Sequence, residues 1–194
     1  MWYVMQVRAG NEENIKLQCS KEIPSPLLQQ CFLLYYEEKK RFQGSWKVLQ
    51  KILFPGYLFV ETEDLPGLCE ALRPVIGLTK LIGTGREIVP LTQEEQTFLW
   101  EMGGPEHLVA MSEGVIENSC IRILSGPLKG REGLIRKIDR HKRKAWLEME
   151  LFGRLQQVEV GLEVIAKSVA TAPTAAEIGE MARELEEREK KGKK

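Results

Sequence analysis

The sequence predicts an α+β protein with two domains, and three observations lead to that prediction. Strand-like and helix-like patterns alternate over residues 1–102, a mixture typical of an α/β sandwich. Residues 103–112 contain two glycines and a proline and interrupt the pattern as a linker does. Five short β-like runs separated by turn residues follow over residues 113–172, which is typical of a small β-barrel. The last segment, residues 173–194, predicts a charged helical tail.

The first half of the first domain predicts a strand, a helix and then further strands. The opening run WYVMQVRAG reads as a strand that ends at Gly10, and Asn11 is the predicted N-cap of a helix with acidic residues in its first turn. The segment 30–64 predicts strands around a charged loop that contains a glycine. Within it, YLFVE is a short β-rich run that follows Pro55 and Gly56.

Two more helices complete the first domain. Asp64 begins the helix LPGLCEALR, which ends at Pro74. After a strand with turns, Thr92 is the predicted cap of a third helix, because Glu95 stands three residues later and completes a capping box. The order of elements is therefore β-α-β-β-α-β-α.

The second domain is predicted from five runs, CIRIL, EGLIRKID, KAWLEMEL, LQQVEVG and EVIA. In the third run, period-2 alternation points Ala145, Leu147, Met149 and Leu151 into the barrel. The same alternation points Trp146 outward, so we expect its ring to be exposed.

Composition excludes several classes of protein. The chain has 28 Lys and Arg residues and 28 Asp and Glu residues, so its formal charge is zero. Its four cysteines form no C-x-x-C pair and only two histidines could join them, so we expect free thiols, no metal site and no cofactor. No signal-like segment is present, and no apolar run approaches the roughly 18 residues of a membrane span. We expect a monomeric, cytoplasmic protein that does not contact a membrane.

Positive charge is concentrated in one turn of the second domain. Residues 1–102 hold 11 Lys and Arg against 13 Asp and Glu, a balance of −2, whereas residues 113–172 hold 11 against 8, a balance of +3. Between Arg136 and Lys144, a segment that we name the basic turn, six cations stand against the single Asp139. A local basic cluster of this kind is typical of a nucleic-acid contact.

The competing class is an enzyme. Gly83 and Gly85 resemble part of a dinucleotide loop, but Ile88 occupies the position of the third glycine. The chain has only two aspartates, and neither histidine lies in a base or ligand motif. His107 is in the predicted linker and His141 in the basic turn, so we expect both to be solvated or to face phosphate. The sequence predicts a binding protein rather than an enzyme.

Two motifs, in the same order along the chain, resemble the NusG family of transcription elongation factors. The opening WYV and the block FPGYLFVE resemble its N-terminal NGN domain. The run LSGPLKGREGLIRKID, followed by LFGRLQQVEV, resembles its KOW domain, a small SH3-like barrel. The resemblance covers roughly residues 1–167, and the pairing of the two motifs makes it specific.

The resemblance implies a polymerase-binding patch in the first domain. In that family the NGN domain docks on the clamp helices of RNA polymerase through an apolar patch and favours processive elongation. The matching residues here are Phe54, Pro55, Gly56 and Tyr57. The residue types alone leave a second reading open, since aromatic side chains such as Phe54 and Tyr57 often pack in a core.

The basic second domain resembles the LoaP group of antiterminators in this family, which is associated with RNA hairpins in operon leaders. Cations attract phosphates and an aromatic ring stacks on bases. These residue types predict RNA binding, and the resemblance implies that the RNA is a hairpin and that the protein promotes read-through of terminators. The predicted RNA contacts are Lys129, Arg131, Arg136, Lys137, Arg140, His141, Lys142, Arg143, Lys144, Trp146 and Arg154.

Three alternatives stay open at this point. The basic turn could be an ordinary solvated face. In the general NusG factor the KOW domain binds ribosomal protein S10 or the termination factor Rho, and Phe152 lies in the matching turn, where such a contact could survive. A ribosome-associated KOW protein would also carry a basic turn, although the NGN-like first domain argues against that class.

Overall fold

The computed structural model describes residues 1–84 and 87–168. Within them the chain forms three α-helices, α1 (Glu12–Glu22), α2 (Leu65–Ala71) and α3 (Gln93–Gly103). The strands are β1 (Trp2–Val7), β2 (Gln30–Phe32), β3 (Tyr35–Phe42), β4 (Ser45–Ile52), β5 (Tyr57–Glu61), β6 (Leu78–Leu81), β7 (Gly83–Thr84), β8 (Glu87–Ile88), β9 (Leu108–Val109), β10 (Ser112–Glu117), β11 (Cys120–Ser125), β12 (Ile135–Asp139), β13 (Lys144–Leu151) and β14 (Arg154–Ser168). The helical tail predicted for residues 173–194 lies outside the described residues.

The first domain is a layered α+β structure, as predicted. Its main sheet is antiparallel in the order β2-β5-β1-β6. Successive side chains of β1 point to opposite faces. Tyr3 and Met5 are buried in one cluster with Ile15 of α1 and Leu68 of α2, whereas Val4 shares the other cluster with Leu99 of α3. The sheet is therefore covered by α1 and α2 on one face and by α3 on the other.

The predicted helix starts are largely confirmed. The capping box is present, since the Glu95 backbone N–H donates to Thr92 Oγ1 at 3.2 Å and the Thr92 N–H donates to Glu95 Oε2 at 2.9 Å. Asp64 caps α2 by accepting from the Gly67 N–H at 2.9 Å. Asn11 does stand at the N-cap of α1, but its side chain makes no capping hydrogen bond.

The second domain is a five-stranded sheet in the order β11-β10-β14-β13-β12, but two of its strands differ from the prediction. The last two predicted runs form one continuous strand, β14, because the chain passes Gly161 without turning. It pairs antiparallel with β13 up to Gly161 and parallel with β10 from Leu162 onward. The fifth strand of the sheet, β10, was not among the predicted runs. Alternation in β13 is confirmed, since Ala145 and Leu147 are fully buried.

Part of the segment predicted as a linker forms regular structure. Helix α3 extends to Gly103, and β9 pairs in parallel with Tyr35 and Tyr36 of β3. His107, which we expected to be solvated, is buried and its ring stacks on Phe32 with centroids 3.9 Å apart. Burial lowers its pKa below the usual histidine range. The expectation failed because His107 fills the apolar space beside the main sheet.

The two domains pack against each other. One buried cluster contains Phe54 and Phe59 of the first domain together with Leu151 and Phe152 of the second. Strands β3 and β4 form a long hairpin, paired from Tyr35–Ile52 to Phe42–Ser45, that we name the β3–β4 hairpin. It lies beside the second domain, and most of β4 is exposed.

Three general findings concern the described residues alone. They include no helix that is long and apolar enough to cross a membrane. All four cysteines are free. No group of three or more His, Cys, Asp or Glu side chains among residues 1–84 and 87–168 could hold a metal ion.

Candidate functional site: the domain interface and the basic turn

The segment Phe54–Tyr57 is a tight turn that leads into β5. The Tyr57 N–H donates to the Phe54 carbonyl at 3.1 Å. Gly56 has a φ of +83°, a conformation that favours glycine. Its N–H donates to Glu12 Oε1 at 2.8 Å, so the first turn of α1 holds this segment in place.

Phe152 of the second domain covers this segment. Its ring centroid lies 5.5 Å from that of Phe54, 5.6 Å from that of Tyr57 and 5.8 Å from that of Phe59. Phe54 is only 2% exposed, and Tyr57 is half-buried. These aromatics therefore pack in a core that the two domains share, as the second reading has it, and their contact with polymerase stays a prediction. The protein-partner contact predicted at Phe152 stays a prediction, and here the side chain is occupied.

The turn that presents Phe152 has a backbone conformation that is unfavourable for a phenylalanine. Phe152 and Gly153 connect β13 to β14 and have φ angles of +58° and +65°. For a residue with a side chain, this left-handed backbone conformation costs about 1–2 kcal/mol, whereas glycine adopts it without that cost. The Phe152 N–H donates to Glu95 Oε1 at 2.7 Å, while the other Glu95 oxygen caps α3. The interface contacts of Phe152 offset this strain.

A buried ion pair also joins the domains. Lys144 Nζ lies 2.6 Å from Glu38 Oε2 and 2.8 Å from Glu159 Oε2. Glu38, whose side chain is only 2% exposed, also pairs with Lys51 at 2.7 Å. Burial disfavours the charged form of Glu38, but hydrogen bonds from Lys144 and Lys51 outweigh it and lower the pKa of the carboxyl. Burial likewise disfavours the Lys144 ammonium, yet its bonds to Glu159 and Glu38 raise its pKa.

Arg143 provides a third interdomain contact. Its guanidinium carbon lies 3.7 Å from the ring centroid of Trp46 in the β3–β4 hairpin, a cation–π geometry. It also pairs with Glu163 at 2.9 Å, and the other oxygen of Glu163 pairs with Lys39. Arg143 and Lys144, both predicted RNA contacts, are thus engaged within the protein.

The rest of the basic turn faces solvent. Arg140, His141 and Lys142 are exposed. The turn is shaped by Asp139, whose Oδ1 accepts from the Lys142 N–H at 2.9 Å. That hydrogen bond lowers the pKa of the Asp139 carboxyl. Arg136 is exposed as well and pairs with Glu148 at 3.1 Å.

Trp146 is half-buried, which corrects the expectation that its ring is fully exposed. Its Nε1 donates to Glu159 Oε1 at 3.2 Å. Lys137 Nζ lies 4.8 Å from the ring centroid. The alternation does point this side chain away from the barrel core. The indole is half-buried because it hydrogen-bonds to Glu159, which stands opposite Trp146 on the neighbouring strand β14.

Three predicted RNA contacts lie away from the basic turn. Arg154 follows the far end of β13, a strand of eight residues, so about 24 Å of extended chain separates it from the turn. Lys129 and Arg131 precede β12 and stand at the opposite end of that strand. Lys129 is exposed, whereas Arg131 pairs with Glu101 of α3. The structure therefore brings Arg136 to Lys144 and Trp146 together, but not these three.

Sequence reasoning missed the interface residues that engage the basic turn and Phe152. It gave no role to Glu38, Trp46, Glu159 or Glu163, and it gave Glu95 only a capping role. One signal was present in the sequence. Phe152 precedes a glycine in a two-residue connection, a position where asparagine or aspartate is preferred, and an aromatic there indicates a contact that offsets the strain.

The comparisons with known proteins agree with this architecture. A family model described as "Transcription termination factor nusG" matches residues 1–99. The "Transcription termination/antitermination protein NusG" of Thermus thermophilus is 30% identical over 184 residues, covering 86% of this chain and 98% of that protein. The chain belongs to the NusG family. It is therefore a NusG-type transcription factor.

A second relative is consistent with membership of the NusG family, and one solved structure has a similar fold. The protein of the same name from Staphylococcus epidermidis is 31% identical over 174 residues, covering 86% of this chain and 94% of that protein. A structure described as "Domain interaction in Thermotoga maritima NusG" matches with a TM-score of 0.51 at 22% identity and covers 84% of this chain and 93% of that chain. That likeness supports the fold.

Proposed function

We propose that this NusG-family protein binds RNA polymerase through the Phe54–Tyr57 segment and an RNA hairpin through the basic turn, and that it promotes read-through of terminators. The resemblance to the family motifs supports the polymerase contact. The name shared by its relatives from Thermus thermophilus and Staphylococcus epidermidis, "Transcription termination/antitermination protein NusG", supports a role at terminators.

The exposed cations of the basic turn carry the RNA part of the proposal. Arg140 has no ion pair among the described residues, and Lys142 has only a 3.9 Å approach to Asp139. Charges left in water in this way are available to phosphates at little desolvation cost. Lys137 over the ring of Trp146 adds a cation beside an aromatic face, the combination with which proteins hold the loops and bulges of RNA.

The polymerase part requires a movement. Phe54 and Tyr57 contact Phe152, so a clamp surface reaches them only after the second domain has left the first. The polar contacts of Lys144 and Arg143 have to break at the same time. Polymerase binding is thus coupled to the docking of the two domains.

Replacing Arg140 and Lys142 with Ala is expected to weaken binding of a leader RNA hairpin by about tenfold, because two phosphate contacts are lost. The slope of log affinity against log salt should become less steep by about 1.4–1.8, which corresponds to two contacts. Electrophoretic shift assays with hairpins from the leaders of the longest operons of the source organism measure both quantities. A variant with Lys21→Ala and Lys80→Ala removes the same charge from exposed sites of the first domain and serves as the control. Parent-like affinity and slope in the turn variant would show that the basic turn is a solvated face.

A further inference from the structure

The β3–β4 hairpin carries a concentration of positive charge that has no role in the proposed function. Residues 39–47, which surround its tip, include four cations and no carboxylate. Lys40 and Lys47 stand directly opposite each other across the two strands, and both are exposed. Like charges at directly opposed positions of a strand pair destabilise it. The hairpin therefore holds a repulsion that an anion bound between these two lysines would relieve.

The tip also exposes aromatic rings. Phe42 is 56% exposed and Trp46 is 41% exposed. Lys47 Nζ lies 5.1 Å from the ring centroid of Phe42. The tip therefore repeats the pairing of cation and aromatic ring that Lys137 and Trp146 form in the second domain. Exposed rings of this kind offer stacking faces for unpaired bases.

The hairpin and the basic turn face each other across one cleft. Its volume is about 290 Å³. The hairpin contributes Lys39, Lys40, Arg41, Trp46 and Lys51, and the second domain contributes His141, Lys142 and Lys144.

Among residues 1–84 and 87–168, Glu38 is the only carboxylate that lines this cleft, and it is neutralised by Lys51 and Lys144. Lys39 is paired with Glu163. Lys40, Arg41 and Lys142 are left to give the cleft its net positive charge. A cleft with walls of one sign of charge concentrates the opposite charge.

We propose that the β3–β4 hairpin is a second RNA-binding element, and that one RNA hairpin bound by the basic turn also contacts Lys40 and Arg41 in this cleft and Lys47, which stands opposite Lys40 on the neighbouring strand. The inference rests on the proposed RNA binding by the basic turn. It extends the site from the second domain onto the first. The phosphates of one strand lie on the cations, and an unpaired base stacks on Phe42 at the tip.

The test compares three double variants of the full chain. Lys40→Ala with Lys47→Ala changes the β3–β4 hairpin, Arg140→Ala with Lys142→Ala changes the basic turn, and Lys21→Ala with Lys80→Ala is the charge-matched control. The probes are a fluorescein-labelled RNA stem-loop with one bulged purine and a DNA stem-loop of the same sequence, and binding is followed by fluorescence anisotropy over a range of salt. Removal of Lys40 and Lys47 relieves their repulsion, so this variant is expected to melt at no lower temperature than the parent.

The expected result is a loss of about tenfold in RNA affinity for the β3–β4 hairpin variant, a salt slope less steep by about 1.4–1.8, and no change in the control. If the β3–β4 hairpin variant binds RNA like the parent while the turn variant is weakened, this inference is wrong and the proposed function stands. If the turn variant binds like the parent, the proposed function fails too. Equal losses for RNA and DNA probes would replace RNA recognition by general polyanion binding and overturn the assignment.

Discussion

Replacing Phe152 with Asp is expected to separate the two domains and to raise the affinity for core RNA polymerase by about tenfold or more. Phe152 contacts Phe54, Tyr57 and Phe59, and a carboxylate cannot be buried among those rings without a large desolvation cost. When only a small fraction of the molecules is in the binding-competent state, the apparent affinity is the intrinsic affinity multiplied by that fraction. If docking is worth about 2 kcal/mol, removing it restores roughly 30-fold in affinity.

Leu155→Asp provides a matched control for this prediction. Leu155 lies near Phe152 at the start of β14, but it is 64% exposed, so the same change in chemistry breaks no interdomain contact. Small-angle X-ray scattering of the free proteins reports domain separation, and titration with core polymerase from the source organism reports affinity. If Phe152→Asp increases the radius of gyration but leaves polymerase affinity unchanged, the Phe54–Tyr57 segment is not the polymerase contact.

Replacing Lys144 with Met is expected to lower the free energy of unfolding by about 2 kcal/mol. Removing one partner of a buried ion pair leaves the other charge without compensation, which typically costs about 3–5 kcal/mol. Lys51 remains beside Glu38 and reduces the loss. Urea titration followed by tryptophan fluorescence measures the free energy.

Two further variants give the Lys144 prediction a specific signature. Lys137→Met removes a neighbouring exposed lysine and is expected to cost less than about 0.5 kcal/mol. Combining Lys144→Met with Glu38→Gln removes both charges of the pair, so part of the lost stability should return. A Lys144 variant as stable as the Lys137 variant would contradict the structural role of the ion pair.

Local signals determined which parts of the fold were predictable. The helix start at Thr92 follows from a side chain–backbone exchange with Glu95 that involves only neighbouring residues, and it was predicted correctly. The alternation in β13 likewise identified its buried face, because one side of that strand faces a core along its whole length.

Strand β14 shows what a local reading missed. Gly161 was taken as a turn signal between two strands. In the structure the chain stays extended there, and a side chain at this position would collide with Met111 and the Glu37 carbonyl. The glycine is needed for close approach of two segments that are distant in sequence, so its own neighbours carry no sign of that role.

The candidate site was predictable in composition but not in arrangement. The sequence identified the basic turn as a unit. The structure divides it, because Arg143 and Lys144 contact Trp46 and Glu38 of the first domain while Arg140, His141 and Lys142 remain exposed. A count of charges cannot distinguish a solvated cation from one paired across a domain interface, since the partners lie about a hundred residues apart.

The division of the basic turn decides how RNA binding should be tested. Replacing Arg143 or Lys144 would disturb domain docking as well as any phosphate contact. Arg140 and Lys142 have no interdomain partner among the described residues, so their removal reports on RNA alone.

Terminator read-through in vitro tests the RNA-binding role most directly. The template carries a leader hairpin upstream of a terminator, and RNA polymerase from the source organism transcribes it with the parent protein or with the variant Arg140→Ala and Lys142→Ala. We expect the parent to raise read-through several-fold on this template and not on one with a scrambled hairpin, and the variant to lose most of the effect. Equal read-through with the parent and the variant, or with the cognate and the scrambled hairpin, would contradict recruitment by RNA through the basic turn.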